Sequence, residues 1–225
     1  MPDNISEILL EVGKTLGETA FMCSIALVIA IVAGGALGIL LYASSTHLFI
    51  NSPLLNKVLG ATVNVVRSIP FLILLIFLLP LSALIVGTKL GTEAVVIPLA
   101  VAAVAFFARP SEASLAEVDK GVSEAALASG AGKLKTMFCI VLPEAHVPLV
   151  KDITITAISL LGFPAMAGPV GVVGLGDLAS RYRYQPYNPV NMTPCIALQV
   201  LPGQTTQSAG HLSSNSTLPS PSYWS

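Results

Sequence analysis

From Thr19 to Thr46 the chain carries no charged residue. The hydrocarbon core of a bilayer takes ~20 apolar residues of helix to cross, and inside it every backbone amide and carbonyl must find its partner within the protein. This run therefore predicts a transmembrane helix, and it sets the class of the whole chain. Composition agrees, because 54% of the 225 residues are hydrophobic and only 10% charged, against roughly 25% charged in a soluble domain. The expected fold is an all-α membrane protein, a polytopic helical bundle in a lipid bilayer. A net charge of −1 supplies no basic face for phosphates, so nucleic acid is excluded as a partner. Cys23, Cys139 and Cys195 are scattered and odd in number, and no Cys or His pair stands at metal-ligand spacing. Neither a disulfide framework nor a metal site is supported, and all three cysteines are expected as small apolar packing residues.

Residues 1–18 hold Asp3, Glu7, Glu11 and Glu18 against the single Lys14, an opening unlike the basic start of a secretory signal. In the first span Gly34 and Gly38 form a small-xxx-small pair that lets another helix approach closely, within the subunit or in a dimer. Residues 47–57 read as a polar turn, and the second span comes next with Arg67-Ser68-Ile69-Pro70-Phe71 near its start. Pro70 has no amide hydrogen for Val66, so a bend is expected there. Arg67 reads as a snorkelling anchor or as part of an inner gate. The third span, Ala94 to Ala108, has fifteen residues before Arg109, short for a crossing unless its flanking charges reach the headgroups. Pro98 and Pro110 interrupt it further.

Between Arg109 and Lys151 lies a soluble-looking insert with Arg109, Lys120, Lys133, Lys135 and Lys151, five of the eleven basic residues. The positive-inside rule makes this insert cytoplasmic, and counting back through three spans puts residues 1–18 outside. The fourth span starts near Pro148 and is uncharged from Ile153 to Leu175. It is expected to break up over Gly162–Pro169, and the solute path is expected beside that break. There Met166 reads as a gap-filling core side chain or a movable apolar plug, and Phe163, Arg67 and Pro70 join it as candidate gate residues. Residues 190–209 should form a fifth span, yet Asn191, Pro194, Gln199, Pro202, Gln204 and Gln207 interrupt it. The Ser/Pro-rich end is too polar to pack. The organisation expected is thus an external segment 1–18, a transmembrane domain 19–190 with its loop at 109–151, and a degraded last span and low-complexity tail over 191–225.

Within the insert, Glu124–Pro143 reads as two short helices joined at a bend. Ala125, Ala126, Leu127 and Ala128 favour the first helix, Gly130 and Gly132 interrupt it, and Pro143 ends the second helix. Gly130-Ala-Gly132-Lys133 is not a P-loop, because Leu127 stands where the first Gly belongs and Leu134 where Ser or Thr should come after the lysine. Gly171–Asp177 is likewise a poor dinucleotide fingerprint with no βαβ unit around it. No HExxH or GxSxG motif occurs, and the uncharged runs contain no His, Asp or Glu, which argues against an intramembrane enzyme. ATP-driven work would have to be done by another subunit, and no cofactor of the chain's own is expected.

The spacing Glu124-Ala125-Ala126, three residues, Gly130, nine residues, Ile140, one residue, Leu142-Pro143 resembles the EAA loop of ABC-importer permeases. With Arg67–Phe71, Phe107-Ala-Arg109, Leu142–Ala145 and Gly174–Asp177, it resembles the D-/L-methionine importer permeases in particular, over about residues 15–190. The resemblance implies five transmembrane helices and two permease copies on two ATP-binding cassette subunits. It also implies an external substrate-binding lipoprotein and a bacterial inner membrane. By position, Glu124, Ala125, Ala126 and Gly130 would form the ATPase-docking contact, with Pro143 ending it. Departures are Pro110, Pro164 and Pro169, where the family continues helix or carries small residues, and the interrupted fifth span. The alternatives are a permease for another amino acid and a non-functional four-span remnant.

Overall fold

A computed structural model describes residues 5–50, 52–87 and 91–167. The chain opens with α1 (Ile5–Ile29), which passes through a π-helical turn (Ala30–Gly34) into α2 (Gly35–Ser45). Helix therefore already occupies residues 5–18, and the apolar stretch long enough to cross a membrane is Gly13–Ser45. At its end the hydroxyls of Ser44, Ser45 and Thr46 donate back to the carbonyls of Leu41, Tyr42 and Tyr42 at 2.9, 2.8 and 3.0 Å. The Tyr42 carbonyl accepts the Thr46 amide as well, at 3.2 Å, so the hydroxyls reinforce the last turn of the helix.

The expected polar turn is shorter than residues 47–57. Ser52 caps α3 (Pro53–Ser68) by accepting from the Leu55 amide, with Pro53 preorganised in the first turn. Asn56 then donates to the Leu41 carbonyl at 2.9 Å and to Ser44 Oγ at 3.2 Å, pinning the start of α3 to the end of α2. The second span is broken and not merely bent. Ile69, held extended by the proline after it, separates α3 from α4 (Phe71–Val86), and the two helices meet at 106°. Gly87, at φ +83°, closes α4 in the left-handed region that favours glycine.

The third span is longer than the fifteen residues expected. Helix α5 runs from Thr92 to Ala116, ~37 Å at 1.5 Å per residue, so Arg109 lies inside it and not at the start of a soluble loop. It is the central helix, packed against α1, α2, α3, α4 and α9 (His146–Ala167). Its Val95, Leu99, Ala103 and Phe107 share a buried cluster with Met22 of α1, Leu75 of α4 and Leu160 of α9.

At two of the four interior prolines, Pro98 and Pro164, a side chain of a neighbouring helix serves the carbonyl that the proline orphans. Pro98 cannot donate to Ala94, and the Ser82 hydroxyl of α4 donates to that carbonyl instead, at 2.5 Å. Pro164 cannot donate to Leu160, and Cys23 Sγ of α1 approaches the Leu160 carbonyl at 3.4 Å. Helix α9 consequently continues through Gly162 and Pro164 to Ala167, against the break expected from Gly162 onward. Cys23 is the buried packing residue expected, but Cys139 is exposed. It lies on the outer side of a turn whose inward residues are Met137 and Val141.

The Gly34/Gly38 pair is used within the chain. A Cβ on Gly34 would stand 2.9 Å from the Val104 carbonyl oxygen, and one on Gly38 would stand 2.9 Å from that of Ala108. The first span thus lies directly on α5. Gly171–Asp177, Pro169, Cys195, the expected fifth span and the tail lie outside the described residues.

Candidate coupling segment and gate

Asp119 opens α6 (Lys120–Ala128) by accepting from the Gly121 amide at 2.8 Å. The helix ends in a Schellman motif: the Ala131 amide donates to Ala126 at 3.1 Å and the Gly130 amide to Leu127 at 3.0 Å, with Gly130 at φ +86°. A Cβ on Gly130 would meet nothing within 4 Å. Backbone conformation, and not space, requires the glycine. Of the expected docking residues, Glu124, Ala125 and Gly130 are exposed and Ala126 half-buried, while Ser123 turns inward. They form a short helix and its cap with an accessible outer face.

After Gly132 the chain turns into α7 (Lys133–Thr136), a π-helical turn (Met137–Val141) and α8 (Leu142–Glu144). Pro143 sits in the first turn of α8, exposed, and the helix ends two residues later at Ala145. It therefore stands at the far end of the segment from Glu124. The inner face is anchored: Lys133 Nζ donates to the Phe49 carbonyl at 2.5 Å. Met137 and Val141 pack with Tyr42 and Phe49 at the end of the first span and Leu115 of α5. Between α2, α5 and this segment lies an apolar groove of about 870 Å³, bordered by Ile39, Phe107, Leu115, Met137 and Phe138. Leu134 and Phe138, one turn apart and exposed, are its sequence trace.

Three of the four candidate gate residues gather around one aromatic cluster. Phe163 of α9 stacks on Phe71 of α4 with centroids 4.8 Å apart and planes at 14°. Phe106 of α5 meets Phe163 edge-on at 5.3 Å. The Arg67 guanidinium of α3 lies over Phe106, 5.4 Å from its centroid, a cation–π distance. Pro70 precedes Phe71 and caps α4, its carbonyl accepting from Ile73 and Leu74 at 2.9 and 3.1 Å. Met166 stands one turn beyond Phe163 on α9 and is 58% exposed, outside the cluster.

Two polar sites escape sequence reasoning. Arg109 Nε donates to Asn64 Oδ1 at 3.0 Å, Nη2 to the Gly60 carbonyl at 2.9 Å, and Nη1 to Glu112 Oε2 at 2.7 Å. Ser114 of α5 donates to Asp152 Oδ2 of α9 at 2.5 Å, both side chains buried. Asn64 within an apolar segment is the available signal for the first. For the second it is Asp152 at the edge of an uncharged run.

A short helix with an exposed face beside a helical membrane bundle, and membrane helices that meet at an aromatic cluster, are in keeping with the transmembrane component of a transporter. Residues 30–198 match the family described as "Binding-protein-dependent transport system inner membrane component", and the chain belongs to that family. A relative from Vibrio cholerae, "Probable D-methionine transport system permease protein MetI", is 38% identical over 86% of each chain. "Methionine import system permease protein MetP" of Bacillus subtilis is 44% identical over 66% of this chain and 67% of its own. Among solved structures, this chain is similar to a chain of "Inward facing conformations of the MetNI methionine ABC transporter". The TM-score is 0.91 at 35% identity, covering 95% of this chain and 99% of that one. An amino acid ABC transporter solved with histidines shares the fold, with a TM-score of 0.76 at 19% identity.

Proposed function

We propose that this chain is the membrane-spanning permease of an ATP-driven importer that carries methionine inward by alternating access. Two copies would sit on two ATP-binding cassette subunits, with an external lipoprotein delivering the amino acid. The observation that carries this reading is the segment Glu124–Pro143, whose first helix, α6, exposes Glu124, Ala125 and Gly130 while Lys133, Met137 and Val141 further along hold the segment against the first span and α5. A load applied there is passed to the membrane helices and not absorbed by a loose loop. Methionine is supported by the names of the relatives at about 40% identity.

The ATPase face is assigned to the cytoplasm, because Lys120, Lys133, Lys135 and Lys151 cluster on that side; the N-terminus is then external. ATP would be bound and hydrolysed by the partner alone. Closure of the ATPase pair shifts the permease only if the partner binds its two conformations with different affinity. Glu124, Ala125, Ala126 and Gly130 supply the contact where that difference arises, and the Phe71–Phe106–Phe163 cluster with Arg67, Pro70 and neighbouring Met166 forms the moving gate.

The test is reconstitution of the chain with the ATPase subunit and lipoprotein in liposomes. ATP-dependent uptake of labelled methionine, competed by unlabelled methionine and not by other amino acids, is the expected result. Competition by a different amino acid reassigns the substrate. Failure to bind the ATPase overturns the reading.

A further inference from the structure

Helices α3 and α5 each lend an arginine to the other. Arg109 of α5 reaches two acceptors one turn apart on α3, the Gly60 carbonyl and Asn64, while Glu112 holds its third edge. Arg67, at the other end of α3, lies over Phe106, one turn before Arg109 on α5. Gly60 is matched to this contact, since a Cβ there would stand 2.6 Å from Arg109 Nη2. Elsewhere α3 is held at its start by Asn56 on the end of α2 and midway by Val63, packed with Leu41, Ala105 and Ala108; Gly60 and Val63 are its only buried residues. Its C-terminus is the 106° break that leads through Pro70 to Phe71 of the gate cluster. The C-terminus of α5 lies three residues from α6, the docking helix.

From this placement we propose that Arg109 is a positioning residue for transport. The reciprocal clamp joins α3 to α5 as one lever, so that displacement of the docking segment reaches the α3–α4 break and opens or closes the aromatic cluster. The planar guanidinium suits the task because it meets three acceptors in fixed directions, which a lysine ammonium cannot do. The inference rests on the function proposed above.

Its test uses the full chain assembled with the ATPase and lipoprotein. In Arg109→Lys and in Asn64→Leu, methionine transported per ATP hydrolysed should fall about five- to tenfold, the range expected for residues that carry coupling. Complex yield and ATPase rate should stay close to those of the unsubstituted chain. Spin labels on exposed Lys57 of α3 and Leu84 of α4 report the break directly. Their separation should change with ATP in the unsubstituted complex and stay fixed in Arg109→Lys. An unchanged transport ratio, or a fall in uptake that merely tracks loss of complex, overturns the lever. Absence of ATP-driven uptake by the unsubstituted assembly overturns the functional reading itself and the lever with it.

Discussion

At Gly130 one backbone angle does most of the work. The left-handed conformation at φ +86° costs an L-residue roughly 1–2 kcal/mol, and the site is open enough that no clash adds to this. Gly130→Ala should therefore leave the membrane helices folded and lower the affinity for the ATPase subunit by about five- to thirtyfold, measured by titrating labelled complex. Ser82 makes a contrasting case. Its hydroxyl occupies the carbonyl that Pro98 leaves without a partner, so Ser82→Ala exposes an unsatisfied buried acceptor at a cost of ~1–3 kcal/mol. The detergent-solubilised chain should melt earlier, and the loss should largely vanish in Ser82→Ala combined with Pro98→Ala, where the backbone amide is restored. Gly38→Val should be more damaging than either, because its Cβ would collide with the Ala108 carbonyl of α5 and a packed interface of this kind adapts poorly. Thermal unfolding checks both.

Among the helices, those that depend on local rules are legible in the sequence and those that depend on neighbours are not. The first span is read from its uncharged run, and the Schellman cap from two glycines after an alanine-rich helix. The break at Pro70 is legible as a bend, since proline and the residue before it act locally; its size of 106° is set by what α3 packs against. The continuity of α5 and α9 through Pro98, Pro110 and Pro164 is not legible. At Pro98 and Pro164 it rests on a serine and a cysteine contributed by other helices, far away in sequence. Arg109 is misplaced by sequence reasoning for a related reason. The positive-inside rule counts a charge but does not see its partners, and Gly60 and Asn64 lie on another helix. Of the candidate site, the helix and glycine cap over Glu124–Gly130 and the Phe163 region are readable, whereas nothing in the sequence singles out Phe106, which links Arg67 to Phe163. Glu124→Lys belongs at this scale. Glu124 is exposed on α6, so the melting temperature should not move, while co-purification with the ATPase subunit should fall sharply.

Across the whole molecule, α5 is the common element. It carries the first span on Gly34 and Gly38, receives the Arg109 contacts to α3, supplies Phe106 to the aromatic cluster and Leu115 to the packing of Met137 and Val141, and is followed after three residues by α6. In the function proposed above, a push at Glu124–Gly130 would reach the aromatic cluster through one helix and not through a chain of loops. The central claim is that ATP energy enters at Glu124–Gly130 and leaves as methionine movement. ATP-dependent methionine uptake into liposomes, measured for the unsubstituted complex and for Glu124→Lys and Gly130→Ala, tests it most directly. The account predicts robust uptake that both substitutions suppress while the isolated permease keeps its stability; uptake undiminished by either substitution would contradict it.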